Sequence, residues 1–252
     1  MYYLAKILYK PKGDSYFDYI DVDYLNTLFY LNGQILGEYI VDDTDMGIIG
    51  TVMLTSLDSL EPEYWSKEIE EVIKDFDLEI KVLNKKEYCW CYDECDCGGS
   101  SFYILDCSAA ALLNEGYSPI RCGDCLKQVL LIDLPELDFD DKEEILRYVE
   151  IHRALATVLT SPKDYDQKEL ASLMLKYDSK IVKHGIEICK NIEDKIGKPV
   201  YYYYNQSNNL KVCPKCGKKL ENIPVDIIGY SHEGNIDKVC ENCHLAFYTK
   251  KE

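Results

Sequence analysis

The chain has 252 residues, 47% of them hydrophobic and 29% charged, with a net charge of −17. This composition excludes a disordered chain, and a field of that sign repels nucleic acid and attracts basic partners. No run of about 18 apolar residues occurs, which excludes a transmembrane helix. The start Met1-Tyr-Tyr-Leu-Ala-Lys6 is broken by a charge before any apolar leader forms, so a cytoplasmic protein is expected.

Taken in order, residues 1–85 read as alternating elements of a ferredoxin-like α+β domain. Tyr2 to Tyr9 suits a strand. From Asp21, read as an N-cap, Leu25, Leu28 and Phe29 recur at helical spacing up to Leu31, and Asn32-Gly33 ends that helix. Gln34 to Val41 reads as a second strand, Asp42 to Gly47 as a turn, and Ile48 to Thr55 as a third strand that completes a hairpin. Trp65, Ile69, Val72, Ile73 and Phe76 mark one face of a second helix, and Leu78, Ile80 and Val82 alternate in a last strand. The order is βαββαβ, which is that of the split βαβ unit.

Residues 86–135 form a Cys-rich module. Cys89 and Cys91 come first, then Cys95 and Cys97, a strand from Ser101 to Cys107, the pair Cys122-Gly-Asp-Cys125, and a strand from Gln128 to Leu134. Two thiolates separated by two residues can grip one ion from a single tight turn, so Cys122 and Cys125 make half a metal site. Cys95 and Cys97 supply the other half, with the sharp turn permitted by Gly98-Gly99. Cys89 and Cys91 are alternative ligands, and the six thiolates together are enough for more than one ion. Cys107 ends an apolar strand and reads as a buried thiol.

Residues 136–199 are helical. Ile145, Val149, His152 and Leu155 fall near one face, Leu170, Leu173, Met174 and Tyr177 form another, and Val182, Ile186, Cys189 and Ile192 a third. Ser179 is the N-cap of the last helix, and Gly197 with Pro199 closes it. His152, His184 and Cys189 read as packing or solvated residues. Residues 200–252 then read as a zinc ribbon. Cys213-Pro-Lys-Cys216-Gly and Cys240-Glu-Asn-Cys243 give the four ligands of a closed tetrahedral site, with the intervening residues long enough for a hairpin. His244, beside Cys243, is expected to face solvent. The tyrosine runs, Tyr2-Tyr3 and Tyr201 to Tyr204, read as strand packing.

Two zinc ions are therefore expected. Twelve cysteines in close pairs behind no visible leader point to metal in a reducing compartment rather than to disulfides. No GxGxxG, P-loop, GxSxG or HExxH motif occurs, and four thiolates leave no coordination position for a substrate, so no catalytic residue and no enzyme is expected.

Four stretches add a resemblance: Asn32-Gly-Gln-Ile-Leu-Gly37, Ser118-Pro-Ile-Arg-Cys-Gly-Asp-Cys125, Gly197-Lys-Pro-Val-Tyr-Tyr-Tyr-Tyr204, and the final pairs Cys213/Cys216 and Cys240/Cys243. In this order they resemble an uncharacterised bacterial family of zinc-ribbon-containing proteins, domain-of-unknown-function family 2310, for which nucleic-acid binding has been suggested. The resemblance implies zinc at the matching cysteines. Cys89 and Cys91 are additional to the pattern.

Charge separates the two functional readings. Residues 1–85 carry net −10, residues 86–204 net −8 and residues 205–252 net +1. The leading reading is a non-enzymatic zinc protein that binds a basic protein partner, in one version as an inhibitor or immunity-type protein. The alternative is a nucleic-acid-binding ribbon with Lys211, Lys215, Lys218, Lys219 and Lys238 gathered on one surface and tyrosines stacking bases.

Overall fold

The computed structural model describes residues 2–13, 17–37, 39–88, 95, 97–107, 118–159, 167–204, 210–223 and 236–248. These residues form a mixed α+β fold with two sheets and five α-helices. The chain divides into two units, one of Met1–Asp93 with Leu130–Glu143, the other of Glu94–Val129 with Glu144–Glu252. Residues 94–129 of the segment read from sequence as a central Cys module thus belong to the same unit as the terminal ribbon.

In the first unit the order is β1 (Tyr2–Pro11), α1 (Tyr19–Leu31), β2 (Ile40–Thr44), β3 (Gly47–Leu54), α2 (Lys67–Asp75) and β4 (Leu78–Tyr88). The sheet runs β2-β3-β1-β4, and every neighbouring pair is antiparallel. Strand alternation turns Ala5, Ile7 and Tyr9 of β1 inward, where they meet Val52 and Leu54 of β3, Val22, Leu25 and Phe29 of α1 and Ile69 of α2 in one core. The buried Tyr9 hydroxyl donates to Asn26 Oδ1 at 2.6 Å, which satisfies its polar end inside that core.

Three boundaries differ from the sequence expectation. The N-cap of α1 is Asp18, not Asp21: Asp18 Oδ1 accepts the Ile20 amide at 2.8 Å, and Asp21 Oδ2 accepts the Asp18 amide at 2.9 Å. Asp21 is the N3 member of a capping box, and a carboxylate in a first helical turn has much the same sequence signature as a cap. The second strand is Ile40–Thr44 rather than Gln34–Val41. Gln34 is instead buried, its side-chain amide donating to the Ser59 carbonyl at 2.6 Å, and Ile35 makes only an isolated bridge to Leu54. Asp42 and Asp43, which read as turn residues, lie in a strand at the sheet edge, where charge is tolerated; the turn begins at Thr44, whose hydroxyl donates to Gly47 O at 2.6 Å. The last strand runs on to Tyr88, paired with β1 through a bulge between Lys6 and Ile7.

The second unit carries a six-stranded sheet in the order β6-β5-β7-β10-β9-β8. Its strands are β5 (Tyr103–Leu105), β6 (Ile120–Cys122), β7 (Val200–Tyr203), β8 (Glu221–Asn222), β9 (Ile236–Cys240) and β10 (Leu245–Tyr248). Strand β7 is parallel to both β5 and β10, and it stitches two antiparallel ribbons edge to edge. The helices are α3 (Phe139–Leu159), α4 (Gln167–Leu175) and α5 (Lys180–Ile196). Ser179 Oγ caps α5 by accepting the Val182 amide at 3.1 Å, and the Gly197 amide closes it onto Glu193 O at 2.8 Å, both at the residues expected. Val182, Ile186, Cys189 and Ile192 form its buried face. The expected strand Gln128–Leu134 is not one: Gln128 makes a single bridge to Arg121, and Leu131–Asp133 is a 3-10 turn. Val129 to Ile132 are all buried, and a short apolar run without alternation has no period from which to choose its conformation.

Gly185, in mid-helix α5, is where the aromatic layer comes closest. A Cβ there would overlap the Tyr148 hydroxyl and the Tyr202 ring. Gly185→Ala is therefore expected to lower stability by about 1–3 kcal/mol, although alanine is the better helix former. The check is the urea midpoint followed by circular dichroism. An unchanged or raised midpoint would mean the two rings yield freely.

Candidate metal centres

Each end of the six-stranded sheet gathers four thiols. In the central set, β6 delivers Cys122 into the turn Cys122-Gly-Asp-Cys125, where the Leu126 amide bonds back to Cys122 O at 2.9 Å. Opposite it, the Cys95 amide is anchored on Gln128 O at 2.8 Å. Sulfur–sulfur separations are 3.1 Å for Cys95–Cys97, 3.5 Å for Cys97–Cys122 and 3.7 Å for Cys95–Cys125.

In the terminal set, Cys213 and Cys216 sit on a tight hairpin whose Val212 and Lys219 bridge. The Cys213 amide bonds Lys218 O at 2.7 Å and the Gly217 amide bonds Cys213 O at 2.9 Å. Gly217 has φ 68, the left-handed region that a residue without a Cβ enters at no steric cost. Cys240 ends β9, Cys243 ends the following 3-10 turn, and His244 at φ 51 turns the chain into β10. Cys216 and Cys240 sulfurs are 3.6 Å apart.

In both sets all four sulfurs lie within 4.8 Å of one another. A tetrahedral site with Zn–S bonds of about 2.3 Å needs sulfurs about 3.8 Å apart. The residues fit such an ion, and the two groups Cys95/Cys97/Cys122/Cys125 and Cys213/Cys216/Cys240/Cys243 can each hold one.

The thiol chemistry points the same way. Burial pushes the Cys125 thiol up to about 11 and raises Cys95, Cys240 and Cys243 as well. Burial also opposes ionisation of Cys122, but hydrogen bonds from Ser100 and from the backbone at Cys125 and Asp124 leave it below its usual value. The Lys218 backbone amide brings Cys216 down to about 7, so one ligand of the terminal set is ready to ionise first. The raised thiols of Cys95, Cys125, Cys240 and Cys243 lose their protons when a cation replaces them, so loading must release protons and weaken in acid.

His244 is half-buried, with Nδ1 3.2 Å from Glu193 Oε2, rather than free in solvent as its sequence position led us to expect. Cys107 and Cys189 are buried thiols and His152 is a buried packing residue, as expected, while His184 lies 3.0 Å from Glu144. Cys89 and Cys91 lie outside the described residues. Of the five lysines named above, Lys215 sits 4.4 Å over the Tyr177 ring, Lys218 donates to Asn242 Oδ1 at 2.9 Å and Lys238 to Leu210 O at 3.0 Å, and Lys211, Lys215, Lys218 and Lys219 are all exposed. Sequence pattern had no means of finding these partners, because each lies far from its lysine along the chain.

The two sets differ in shielding. Cys97 is exposed and only Cys122 of its group is buried, whereas Cys213, Cys240 and Cys243 are all buried. Under excess chromogenic chelator we expect biphasic release, with the central ion leaving at least about tenfold faster, since an attacking ligand must reach the metal through its sulfurs. Cys122→Ser should abolish the fast phase. Loss of the slow phase instead would reverse the order.

Residues 98–205 match the family described as a domain of unknown function, DUF2310. That span contains Cys97's neighbours Gly98-Gly99, the pair Cys122/Cys125 and the Gly197–Tyr204 segment, and it leaves Cys95, Cys97 and the terminal four outside. No curated protein and no solved structure matches the chain.

Proposed function

Because residues 98–205 match the DUF2310 family, whose function is unknown, we propose a role from the chain's own chemistry: a non-enzymatic, metal-stabilised protein that binds a basic protein partner. The ion is zinc in both sets, since four thiolates and, among the described residues, no hard oxygen donor make each site. Its task is to hold short strands together: β8 has two residues and could not keep its place by pairing alone. A closed four-thiolate shell has no position for a substrate. A reducing compartment, the cytoplasm, suits ten described cysteines that are all free thiols. We also read the four-stranded sheet as ferredoxin-like, since β1 and β2 run the same way with β3 antiparallel between them and α1 crossing from one to the other.

The observation that carries the partner class is the fate of the lysines. Three of the five lysines named for the nucleic-acid reading make contacts within the chain, each with a different group, while residues 1–85 keep a net charge of −10. Such a surface steers basic proteins and repels polyanions. An inhibitor or immunity-type protein that covers a basic toxin or nuclease is the most specific form of this reading.

The test is a titration with single-stranded RNA, single-stranded DNA and duplex DNA at about 0.1 M salt, where charges are screened over roughly 10 Å. No binding is expected. Submicromolar binding that weakens on replacing Lys211, Lys218 and Lys219 would overturn the reading in favour of a nucleic-acid-binding ribbon.

A further inference from the structure

Residues 13–66 contain no lysine, arginine or histidine but eleven aspartates and glutamates. Within the first unit this stretch supplies α1, β2 and β3, and it places β2 at the edge of the sheet order β2-β3-β1-β4. On its outer side β2 has no strand partner among the described residues. Every second residue of such an edge turns its amide and carbonyl outward, ready to pair with another extended chain.

The side chains around that edge are unusual for a free surface. Tyr19, Ile20, Tyr24, Ile40 and Met46 are 56–65% exposed, half of all the large apolar residues that the described chain leaves open to this degree or near it. They lie together. The hydroxyl of Tyr39, just before β2, donates to Asp23 Oδ1 of α1 at 2.9 Å, which ties the strand to the helix. A cleft of about 390 Å³ opens between the start of α1 and the β2–β3 hairpin, with Phe17, Asp18 and Tyr19 on one wall and Asp43 and Gly47 on the other. Asp23, Asp42, Asp43 and Asp45 stand exposed among these apolar groups.

We propose that this face, the outer edge of β2 with the adjoining surface of α1, is the docking site for an extended, lysine- and arginine-bearing segment of another protein. The inference rests on the basic-partner reading above and gives it a place. The segment adds a strand beside β2 through main-chain hydrogen bonds. Its cationic side chains meet Asp42, Asp43, Asp45 and Asp23. Its aliphatic stems cover Ile40 and Met46. The cleft takes one long basic side chain, its stem against the rings of Phe17 and Tyr19 and its charge between Asp18 and Asp43. Apolar anchors supply the attraction that salt does not screen, and the carboxylates select the sign of the partner.

Fluorescence anisotropy with a labelled peptide of alternating arginine and valine, and with labelled lysozyme as a basic protein, tests this on the full chain loaded with zinc. The triple variant Asp42→Asn, Asp43→Asn, Asp45→Asn should bind the peptide about tenfold more weakly than the parent, three partly exposed charge contacts having been removed. Ile40→Lys, which places a cation on the edge, should weaken it at least as much. The control triple Glu61→Gln, Glu63→Gln, Glu70→Gln, which removes the same charge elsewhere on the unit, should change it less than about twofold. Circular dichroism of each variant confirms that it is folded. Equal weakening by both triples, or by neither, would overturn this face while leaving a basic partner in place. Failure of the parent to bind either probe at low salt would overturn the basic-partner reading itself.

Discussion

Replacing Cys240 by serine is expected to remove the ion of the terminal four-thiol group and to melt the edge of the six-stranded sheet from β8 to β10, while the first unit stays folded. Cys240 is buried at the end of β9, and its sulfur stands 3.6 Å from that of Cys216. Structural zinc is worth about 10–16 kcal/mol of apparent folding free energy in small metal-held domains, so a three-ligand site forfeits a large part of the stability of this edge. Little else compensates. Strand β8 pairs with β9 at only Glu221 and Asn222, and β10 pairs with β7 at only Leu245 and Ala246. Hydrogen exchange should therefore rise over residues 210–223 and 236–248, and then at β7, which loses its neighbour. The first unit has its own core of Ala5, Ile7, Phe29, Val52 and Ile69, with no thiol in it, and its protection should not change. Elemental analysis should fall from about two zinc ions per chain to about one. Two ions and unchanged exchange would show that the edge does not depend on Cys240.

What the sequence disclosed follows from range. The metal sets were legible because their information is local: a CxxC turn carries its own geometry, and Cys213/Cys216 with Cys240/Cys243 needed only a hairpin to meet. The choice of Cys95/Cys97 for Cys122/Cys125 was likewise helped by the close spacing and the Gly98-Gly99 turn. Helix faces were legible where their period was clean, as in α5, whose cap at Ser179 and end at Gly197 fall where expected. Boundaries failed where two physical causes leave one signature. Asp21 resembles a cap because carboxylates favour any first-turn position, and Asp42-Asp43 resembles a turn because charged edge strands share turn composition. Topology lay outside local reach altogether. Nothing in Tyr201 to Tyr204 announces that β7 will be parallel to β5 on one side and to β10 on the other, which joins two ribbons into one sheet. The same holds for the lysines of the ribbon, whose partners Tyr177, Asn242 and Leu210 are fixed only by the folded chain.

Tyr148→Ala is expected to cost about 3–5 kcal/mol, the range for deleting a fully buried aromatic side chain. Tyr148 of α3 is 1% exposed, and its hydroxyl donates to Ile181 O at 2.9 Å and lies 3.2 Å from the Tyr202 hydroxyl. Its ring also packs against His152, with centroids 4.7 Å apart. The substitution leaves a cavity and takes a partner from the buried Tyr202 hydroxyl, whereas Tyr148→Phe removes only the hydroxyl contacts and should cost about 1–2 kcal/mol. The same site sets a pH dependence. Burial pushes His152 down to about 4, outweighing the backbone at Cys107 and the charge of Asp106, both of which favour the protonated ring. The unfolded chain takes up that proton near pH 6.5, so the folded state binds fewer protons and its stability falls as the pH drops from about 6.5 towards 4. Above that window the neutral imidazole is common to both states and the contribution is complete. Urea midpoints at pH 7.5 and pH 5 should therefore differ in the parent. They should differ less in Tyr148→Ala, where water entering the cavity can solvate the imidazolium. A parent whose midpoint is flat across that interval, or a Tyr148→Ala midpoint indistinguishable from that of Tyr148→Phe, would mean that this aromatic layer does not hold α3 against α5 and β7 in the way its packing implies.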